Sequence, residues 1–280
     1  MILANVTFGS RRGNSKAASE DLAESYLASL FHSGQLCGEY FVTWTKGLLN
    51  AHVLLTGPHA FELRHHSVYG KKELAKVIEA FGKRPVWRTL DDAAGQEATP
   101  WKGAPFFYLF THAFDWASPS PVCRGDGKGQ VPLFTLPITF EQKEQINFWQ
   151  GSYYHHDNIW LASGVLEVAA YRQLADPASE LAQQGRELCR ELEAATGIPT
   201  FYYLMRHWGR TKGEDKRRCP GCGAHWSVTR ESKKRHFEEF DFRCDKCRLV
   251  SHVGDSTDGG RHTSIGEYHE IRKKGVTKSS

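Results

Sequence analysis

Four cysteines near the C-terminal end of the sequence limit what this part of the chain can fold into more than any other feature. They form two Cys-x-x-Cys pairs, Cys219 with Cys222 and Cys244 with Cys247, with 21 residues between the pairs. Zn²⁺ prefers four tetrahedral ligands, and a Cys-x-x-Cys turn lets two thiolates converge on one ion. A single pair is also typical of a redox dithiol, whereas two pairs at this distance favour zinc. The sequence therefore predicts a closed zinc site, whose role is structural rather than catalytic.

The segment between the two pairs is predicted to be a β-hairpin. Trp226, Phe240 and Phe242 lie on either side of a polar turn over residues 230–235. A small ribbon has little other material for a core, so we expect at least two of these three aromatic side chains to be buried. Basic residues beside the second pair are expected to offset the negative charge of four thiolates. These residues are Arg243, Lys246 and Arg248.

Two segments carry a resemblance to a known family. The sequences CPGCGAHW over residues 219–226 and FDFRCDKCRLVS over residues 240–251 resemble an uncharacterised bacterial family described as zinc-ribbon-containing and linked to nucleic-acid binding. Residues 188–203 and 132–137 are similar to it as well. The likeness therefore covers much of residues 100–255, and the first hundred residues carry no motif of the family.

The resemblance implies a set of metal ligands and a cofactor. The family's four zinc ligands correspond to Cys219, Cys222, Cys244 and Cys247 in this sequence. Some relatives have a further Cys-x-x-Cys pair upstream. The matching region here contains only Cys123, so the resemblance does not carry a second metal site over to this chain.

The remainder of the sequence predicts a mixed α+β body. The first 95 residues alternate apolar runs and amphipathic stretches in the order β-α-β-β-α-β, which is that of a ferredoxin-like unit. Apolar runs at 106–110, 131–138 and 200–205 predict further strands, and a helix is predicted to begin at Asp176-Pro177. The predicted organisation is an α+β unit over 1–95, an aromatic-rich α+β unit over 96–205, a small all-β zinc ribbon over 206–255 and a polar tail over 256–280.

Charge is distributed unevenly along the chain. From residue 206 onward there are 18 Lys/Arg and 11 Asp/Glu, whereas the first 205 residues contain 18 Lys/Arg and 21 Asp/Glu. A basic C-terminal part is consistent with a polyanionic partner. The sequence has seven cysteines, an odd number, and lacks a signal peptide and a membrane-spanning run, which predicts a cytoplasmic protein that does not enter the membrane.

Basic and aromatic residues of the ribbon are candidates for nucleic-acid contacts. Cations would bind phosphates, and an exposed aromatic ring would stack on a base. In the alternative interpretation, the hairpin is solvated and its aromatic rings pack around the zinc. The candidate residues are Arg217, Arg218, Trp226, Arg230, Lys233, Lys234, Arg235 and Arg248.

The string Tyr-Tyr-His-His-Asp at residues 153–157 is the most enzyme-like part of the body. Adjacent side chains diverge in a helix and in a strand, so His155 and His156 are predicted to be structural rather than to hold one ion. The glycine-rich segment 125–129 lacks the order of a phosphate-binding loop and is predicted to be a surface loop. We find no set of nucleophile, base and orienting group and therefore predict a non-enzymatic protein.

The leading hypothesis is a zinc-binding cytoplasmic protein whose basic ribbon contacts nucleic acid. The competing hypothesis is a protein-interaction module, for example an inhibitor or immunity protein, in which the ribbon only stabilises the body. A third hypothesis is an enzyme that acts through His155, His156 or Asp157.

Overall fold

The first 90 residues form a four-stranded antiparallel sheet with two helices. The structure is a computed structural model, and it describes residues 1–10, 12–90, 98–114, 117–228, 240–257 and 262–269. The elements follow one another as β1 (Ile2–Ser10), α1 (Lys16–His32), β2 (Leu36–Thr45), β3 (Leu48–Leu55), α2 (Val68–Phe81) and β4 (Val86–Thr89). The strand order in this sheet is β2-β3-β1-β4.

Local sequence explains the limits of both helices. The Ser15 side chain accepts a hydrogen bond from the Ala18 amide at the start of α1. At the end of α2, Gly82 takes the left-handed conformation that closes a helix. Alternate residues of β1 and β3 are buried on one face of the sheet, where they pack against α1 and α2. This is the pattern of an antiparallel sheet covered on one side.

A second, five-stranded sheet joins the middle of the chain to its C-terminal part. Its strands are β5 (Phe107–Leu109), β6 (Val122–Arg124), β7 (Thr200–Tyr203), β9 (Phe242–Cys244) and β10 (Leu249–Ser251). Their order is β6-β5-β7-β10-β9, and β7 runs parallel to both β5 and β10. Two further short strands, β8 (Trp208–Gly209) and β11 (Ser256–Thr257), pair with each other.

Three helices pack beside this sheet: α3 (Phe140–Ala162), α4 (Glu167–Ala175) and α5 (Glu180–Thr196). The predicted strand over 131–138 is wrong. It contains two prolines, which cannot donate to a sheet, and the segment instead holds one 3₁₀ turn. The predicted start of the later helix is also wrong, because Ser179 rather than Asp176 caps α5.

The C-terminal module shares a core with the body. Trp149 and Tyr202 belong to the same buried cluster as Trp226 and Phe242. A hydrogen bond from the Tyr202 amide to the Arg248 carbonyl, 2.8 Å long, ties β7 to the second cysteine pair. The predicted ribbon is therefore built onto the edge of the body's sheet.

The N-terminal unit contacts this body through α3. Asn147 donates from Nδ2 to the carbonyl of Phe31 at 3.0 Å, at the end of α1. Among the helices of the described residues, none is long and apolar enough to cross a membrane.

Candidate metal centre

The four predicted ligands lie together. The sulfur atoms of Cys219, Cys222, Cys244 and Cys247 all fall within 4.8 Å of one another. The Sγ atoms of Cys222 and Cys244 are 3.7 Å apart, too far for a disulfide bond. Tetrahedral zinc with Zn–S distances of about 2.3 Å needs sulfurs about 3.8 Å apart. The cluster can therefore hold a metal ion.

The backbone around the sulfurs leaves no space for a side chain at one position. A Cβ atom at Gly221 would lie 2.9 Å from the Cys247 sulfur, so only glycine lets the first pair approach the second so closely. The Cys247 amide donates to the Cys244 sulfur at 3.4 Å. Amides that point at sulfur stabilise thiolates, which are the form that binds a metal.

Thiol protonation opposes metal binding at two of the ligands. Burial raises the pKa of the Cys219 thiol well above its usual value, and burial raises the pKa of Cys247 to about 12. A cation that binds both sulfurs must therefore displace their protons, which makes the affinity depend on pH.

The cluster is enclosed by the core. Cys219 and Cys244 are buried, whereas Cys222 and Cys247 are partly exposed. The Trp226 ring stacks on that of Phe242, with centroids 5.0 Å apart and an interplanar angle of 18°. Four protein ligands in such a position match a structural metal site, because a catalytic one keeps a coordination position open.

Two of the three nearby cations form ion pairs. Arg243 Nε donates to Asp245 Oδ1 at 2.7 Å, and Arg248 Nη2 donates to Glu193 Oε1 at 2.6 Å. Lys246 is exposed. Part of the positive charge beside the second pair is thus directed at carboxylates.

Two of the eight candidate nucleic-acid contacts are inside the protein. Trp226 is 2% exposed and Arg217 is 2% exposed, so neither side chain lies on the outer surface of the C-terminal module. The reasons are packing against Phe242 and ion pairs with two carboxylates. Arg218 is exposed and Arg248 is partly exposed. The remaining candidates lie outside the described residues: Arg230, Lys233, Lys234 and Arg235.

The sequence did not identify the carboxylates around Arg217. Its Nε donates to Glu214 Oε2 at 2.6 Å, and its Nη1 donates to Glu267 Oε1 at 3.0 Å. Glu267 lies in the segment predicted to be a polar tail, 50 residues away in sequence. No local signal links such distant residues.

The enzyme-like string in α3 is divided among different environments. His155 lines a cavity of about 350 Å³ between β2 and α3. His156 has its Nδ1 atom 2.8 Å from the Ser152 carbonyl, one turn earlier in the helix. Asp157 Oδ2 accepts a hydrogen bond from the Ala113 amide at 2.7 Å, and burial raises the pKa of this carboxyl. The three side chains therefore face different surroundings, and no cluster of metal ligands contains them among the described residues.

The region of Cys123 contains no second cluster of metal ligands among the described residues. The Cys123 sulfur lies 3.8 Å from the carbonyl of Pro121. Residues 125–129 form a turn, and at its start Arg124 donates two hydrogen bonds to the Asp126 carboxylate.

Models of three families match consecutive parts of the chain. Each is described as a domain of unknown function: DUF8589 over residues 1–91, DUF2310 over residues 102–205 and DUF8594 over residues 209–256. No solved structure matches the chain.

Two relatives come from Haemophilus influenzae, and both are described as "Uncharacterized protein". They are 37% and 36% identical to this chain over 136 residues. The match covers 48% of this chain and 51% and 65% of the two relatives, so the chain spans between half and two-thirds of the length of these relatives. The chain is similar to uncharacterised bacterial proteins.

Proposed function

We propose that this chain is a zinc-binding, non-enzymatic cytoplasmic protein whose basic C-terminal module contacts nucleic acid. The observation that carries the zinc part is the convergence of four cysteine sulfurs within 4.8 Å. Thiolate-only sites favour zinc over hard cations such as Mg²⁺ and Ca²⁺. When bound, the zinc would supply cross-linking rather than chemistry, by joining the first cysteine pair to the second pair, which is attached to the sheet through β7.

Two features support the nucleic-acid part. Residues 206–280 have seven more basic than acidic residues, and a polyanion gains affinity from such a surface by releasing counterions. Arg218 presents an exposed guanidinium one residue before the first zinc ligand. The contact surface thus consists of Arg218, Arg248 and the basic residues that the sequence places in the hairpin turn.

The proposed contact is tested by titrating the zinc-loaded protein with single- and double-stranded RNA and DNA over a series of salt concentrations. Each phosphate contact contributes about 0.7 to 0.9 to the slope of log affinity against log salt. Substituting Lys233, Lys234 and Arg235 together by Ala should lower both the affinity and this slope. A matched control replaces Lys71, Lys72 and Lys76 of α2, which removes the same charge from the N-terminal unit. Equal affinity of the hairpin variant and the wild type would contradict the proposal.

A second candidate function is supported by an exposed apolar cluster at the junction of α3 and α4. Val165 is 89% exposed and Leu166 is 54% exposed, and Leu161 is exposed beside them. Clustered apolar side chains of this kind are typical of protein-binding surfaces. Under this alternative the zinc only stabilises the body. Partner binding that survives the hairpin substitutions but is lost on replacing Val165 and Leu166 by Ser would favour it.

We also propose the domain organisation given by the sequence, with a ferredoxin-like first unit. The strand order β2-β3-β1-β4 and the antiparallel pairing support that assignment. The limits of the three matching families, at residues 91, 102, 205 and 209, support the boundaries. Limited proteolysis tests the first boundary, since cleavage should concentrate between residue 91, where the first family match ends, and residue 102, where the next begins.

A further inference from the structure

A small concave pocket lined by cations lies beside the first cysteine pair. Its volume is about 210 Å³. Its walls come from the chain between β7 and the first pair and from the segment 262–269. Five cationic side chains line it: Arg206, Arg210, Lys216, Arg217 and Arg218.

The pocket has more positive charge than its carboxylates balance. Glu267 accepts hydrogen bonds from Arg210 Nε at 2.9 Å and from Arg217 Nη1 at 3.0 Å. Glu214 accepts from Arg217 Nε at 2.6 Å. Two carboxylates against five cations leave three positive charges without a counter-charge among the described residues that line or touch the pocket.

Two of these guanidinium groups are buried next to each other. Arg206 is 3% exposed, and burial, followed by the charge of Arg217, lowers the pKa of Arg206 to about 10. Because this pKa stays above neutral pH, the Arg206 guanidinium remains charged. Burying two like charges together is costly unless further negative charge is available.

The hydrogen bonds of these two arginines are also incomplete. Within the described part of the chain, Arg217 Nη2 is buried and has no hydrogen-bond partner. Arg206 Nε is also buried without a hydrogen-bond partner, and it lies 4.0 Å from Glu214 Oε1. A small adjustment would pair Arg206 with Glu214, but it would leave the second guanidinium nitrogen of Arg217 without an acceptor. An unpaired buried donor of this kind is costly.

A purely structural role accounts for only part of the cluster. Arg217 Nη1 donates to the Thr263 carbonyl at 2.9 Å, and Arg206 Nη2 donates to the Gly266 carbonyl at 3.3 Å. These bonds fasten the segment 262–269 to the body. They do not explain why Lys216 and Arg218, which are both exposed, line the same pocket.

We propose that this pocket binds a phosphate monoester, supplied by the terminal phosphate of a nucleic-acid strand. The pocket is too small for a run of backbone, but it is large enough for a single phosphate group. A terminal phosphate carries about −1.5 to −2 charges at neutral pH and three acceptor oxygens, which matches three unbalanced cations better than a singly charged diester does. The nucleic-acid source rests on the proposed function, whereas the phosphate chemistry does not.

The position of the pocket connects it to the metal centre. Arg218 precedes Cys219 directly, and its Nη1 donates to the Gly223 carbonyl at 3.2 Å, just after the first cysteine pair. Tyr268, which lines the pocket, lies against Gly223. A metal held by the first cysteine pair would therefore also hold the wall that carries Arg217 and Arg218.

The test uses the full-length, zinc-loaded protein and single-stranded oligonucleotides of one sequence with a 5′-phosphate, a 3′-phosphate or only hydroxyl ends. Fluorescence anisotropy should show about tenfold tighter binding for one phosphorylated end, as expected for charge-assisted hydrogen bonds to buried guanidinium groups. Inorganic phosphate should compete for the pocket and thereby remove the extra affinity of the phosphorylated oligonucleotide. The double variant K216Q/R218Q removes two of the five lining cations and should reduce the preference, while zinc content and thermal unfolding stay unchanged. The control K72Q/K212Q removes the same charge from exposed lysines outside the pocket and should retain it.

The outcomes separate the pocket from the nucleic-acid function. Equal, salt-sensitive binding of all three oligonucleotides would contradict phosphate binding in the pocket but would remain consistent with the proposed nucleic-acid contact. Binding of inorganic phosphate that is weakened in K216Q/R218Q, without binding of any oligonucleotide, supports the pocket as a site for a small phosphorylated molecule and overturns its nucleic-acid source. Binding of neither phosphate nor oligonucleotide overturns both.

Discussion

Gly223 and Arg248 occupy equivalent positions one residue after the second cysteine of each pair, and both take a left-handed backbone conformation, with φ of 71° and 52°. Glycine takes this conformation without strain, whereas an arginine is destabilised there. The Arg248 side chain is held by Glu193 of α5, and its carbonyl is held by the Tyr202 amide of β7. The body of the protein therefore stabilises the second turn, while the first turn depends on glycine.

Replacing Gly223 by Ala should destabilise the protein and weaken metal retention. The new Cβ atom would lie 2.7 Å from the ring of Tyr268, in addition to the cost of the left-handed conformation, which is about 1 kcal/mol. Gly213 offers a matched control, because its φ is 72° and no atom lies within 4 Å of an added Cβ. Urea unfolding and the rate of zinc release to a chelator should both be affected more by G223A than by G213A. Equal effects of the two substitutions would show that contact with Tyr268 is unimportant.

Replacing Cys219 by Ser should remove the bound metal and unfold the C-terminal module. In such sites the binding energy of zinc is largely folding energy, about 10–16 kcal/mol for isolated zinc fingers. The measurement is zinc content per chain by atomic spectrometry, together with hydrogen exchange over residues 219–251. The control C123A changes a buried cysteine outside the cluster and should keep one zinc per chain. A Cys219 variant that keeps both its metal and its protection would contradict the proposed site.

Replacing Trp226 by Phe should leave nucleic-acid affinity unchanged. Its ring is buried against Phe242, and its Nε1 atom has no hydrogen-bond partner among the described residues, so phenylalanine keeps the stacking and removes an unpaired donor. W226A, in contrast, should cost about 3–5 kcal/mol by leaving a cavity. Unfolding measurements and oligonucleotide titrations on both variants check this. A large loss of affinity in W226F at unchanged stability would mean that the ring stacks on a base.

The convergence of the cysteines was predictable because ligand type and spacing determine it locally. The burial of Trp226 was only partly predictable. The sequence indicated that some ribbon aromatics are buried, but it did not reveal that β7 and α3 supply the core that encloses this one. Its neighbours Trp149 and Tyr202 are remote in sequence. Contacts of that kind are set by the sheet order, which a single sequence does not specify.

Helix α3 was missed for a different reason. Its buried residues are Ile146, Trp149, Tyr153 and Asp157. They form a narrow stripe with one polar member, and apolar residues such as Phe148 and Ile159 lie exposed outside it. The hydrophobic periodicity is consequently weak. A local signal was present at its start, where Thr139 and Gln142 form a capping box. The cationic pocket had no such signal, because Arg217 and Glu267 meet only after the chain has folded.

Asp126 and Arg124 form an ion pair whose effect depends on pH. Arg124 is buried, and its Nε and Nη2 atoms donate to the two carboxylate oxygens of Asp126 at 2.9 and 2.7 Å. Hydrogen bonds from Arg124 are the main reason that the pKa of Asp126 is lowered to about 2. Because this pKa is lower in the folded than in the unfolded chain, where it is about 4, the pair stabilises the fold above pH 4. That stabilisation is lost as the pH falls from about 4 to about 2.

The D126N variant should therefore be less stable than the wild type by about 2 kcal/mol at pH 7, since one unit of pKa corresponds to about 1.4 kcal/mol. The difference should narrow as the pH is lowered through 4, because asparagine does not titrate and only the wild type loses stability from this group. Urea unfolding of both proteins at several pH values between 7 and 3 measures it. The control E187Q breaks an exposed pair with Arg190 and should change stability by under about 0.5 kcal/mol. A difference between wild type and D126N that stays constant down to pH 3 would show that the carboxylate charge of Asp126 is not what stabilises this turn.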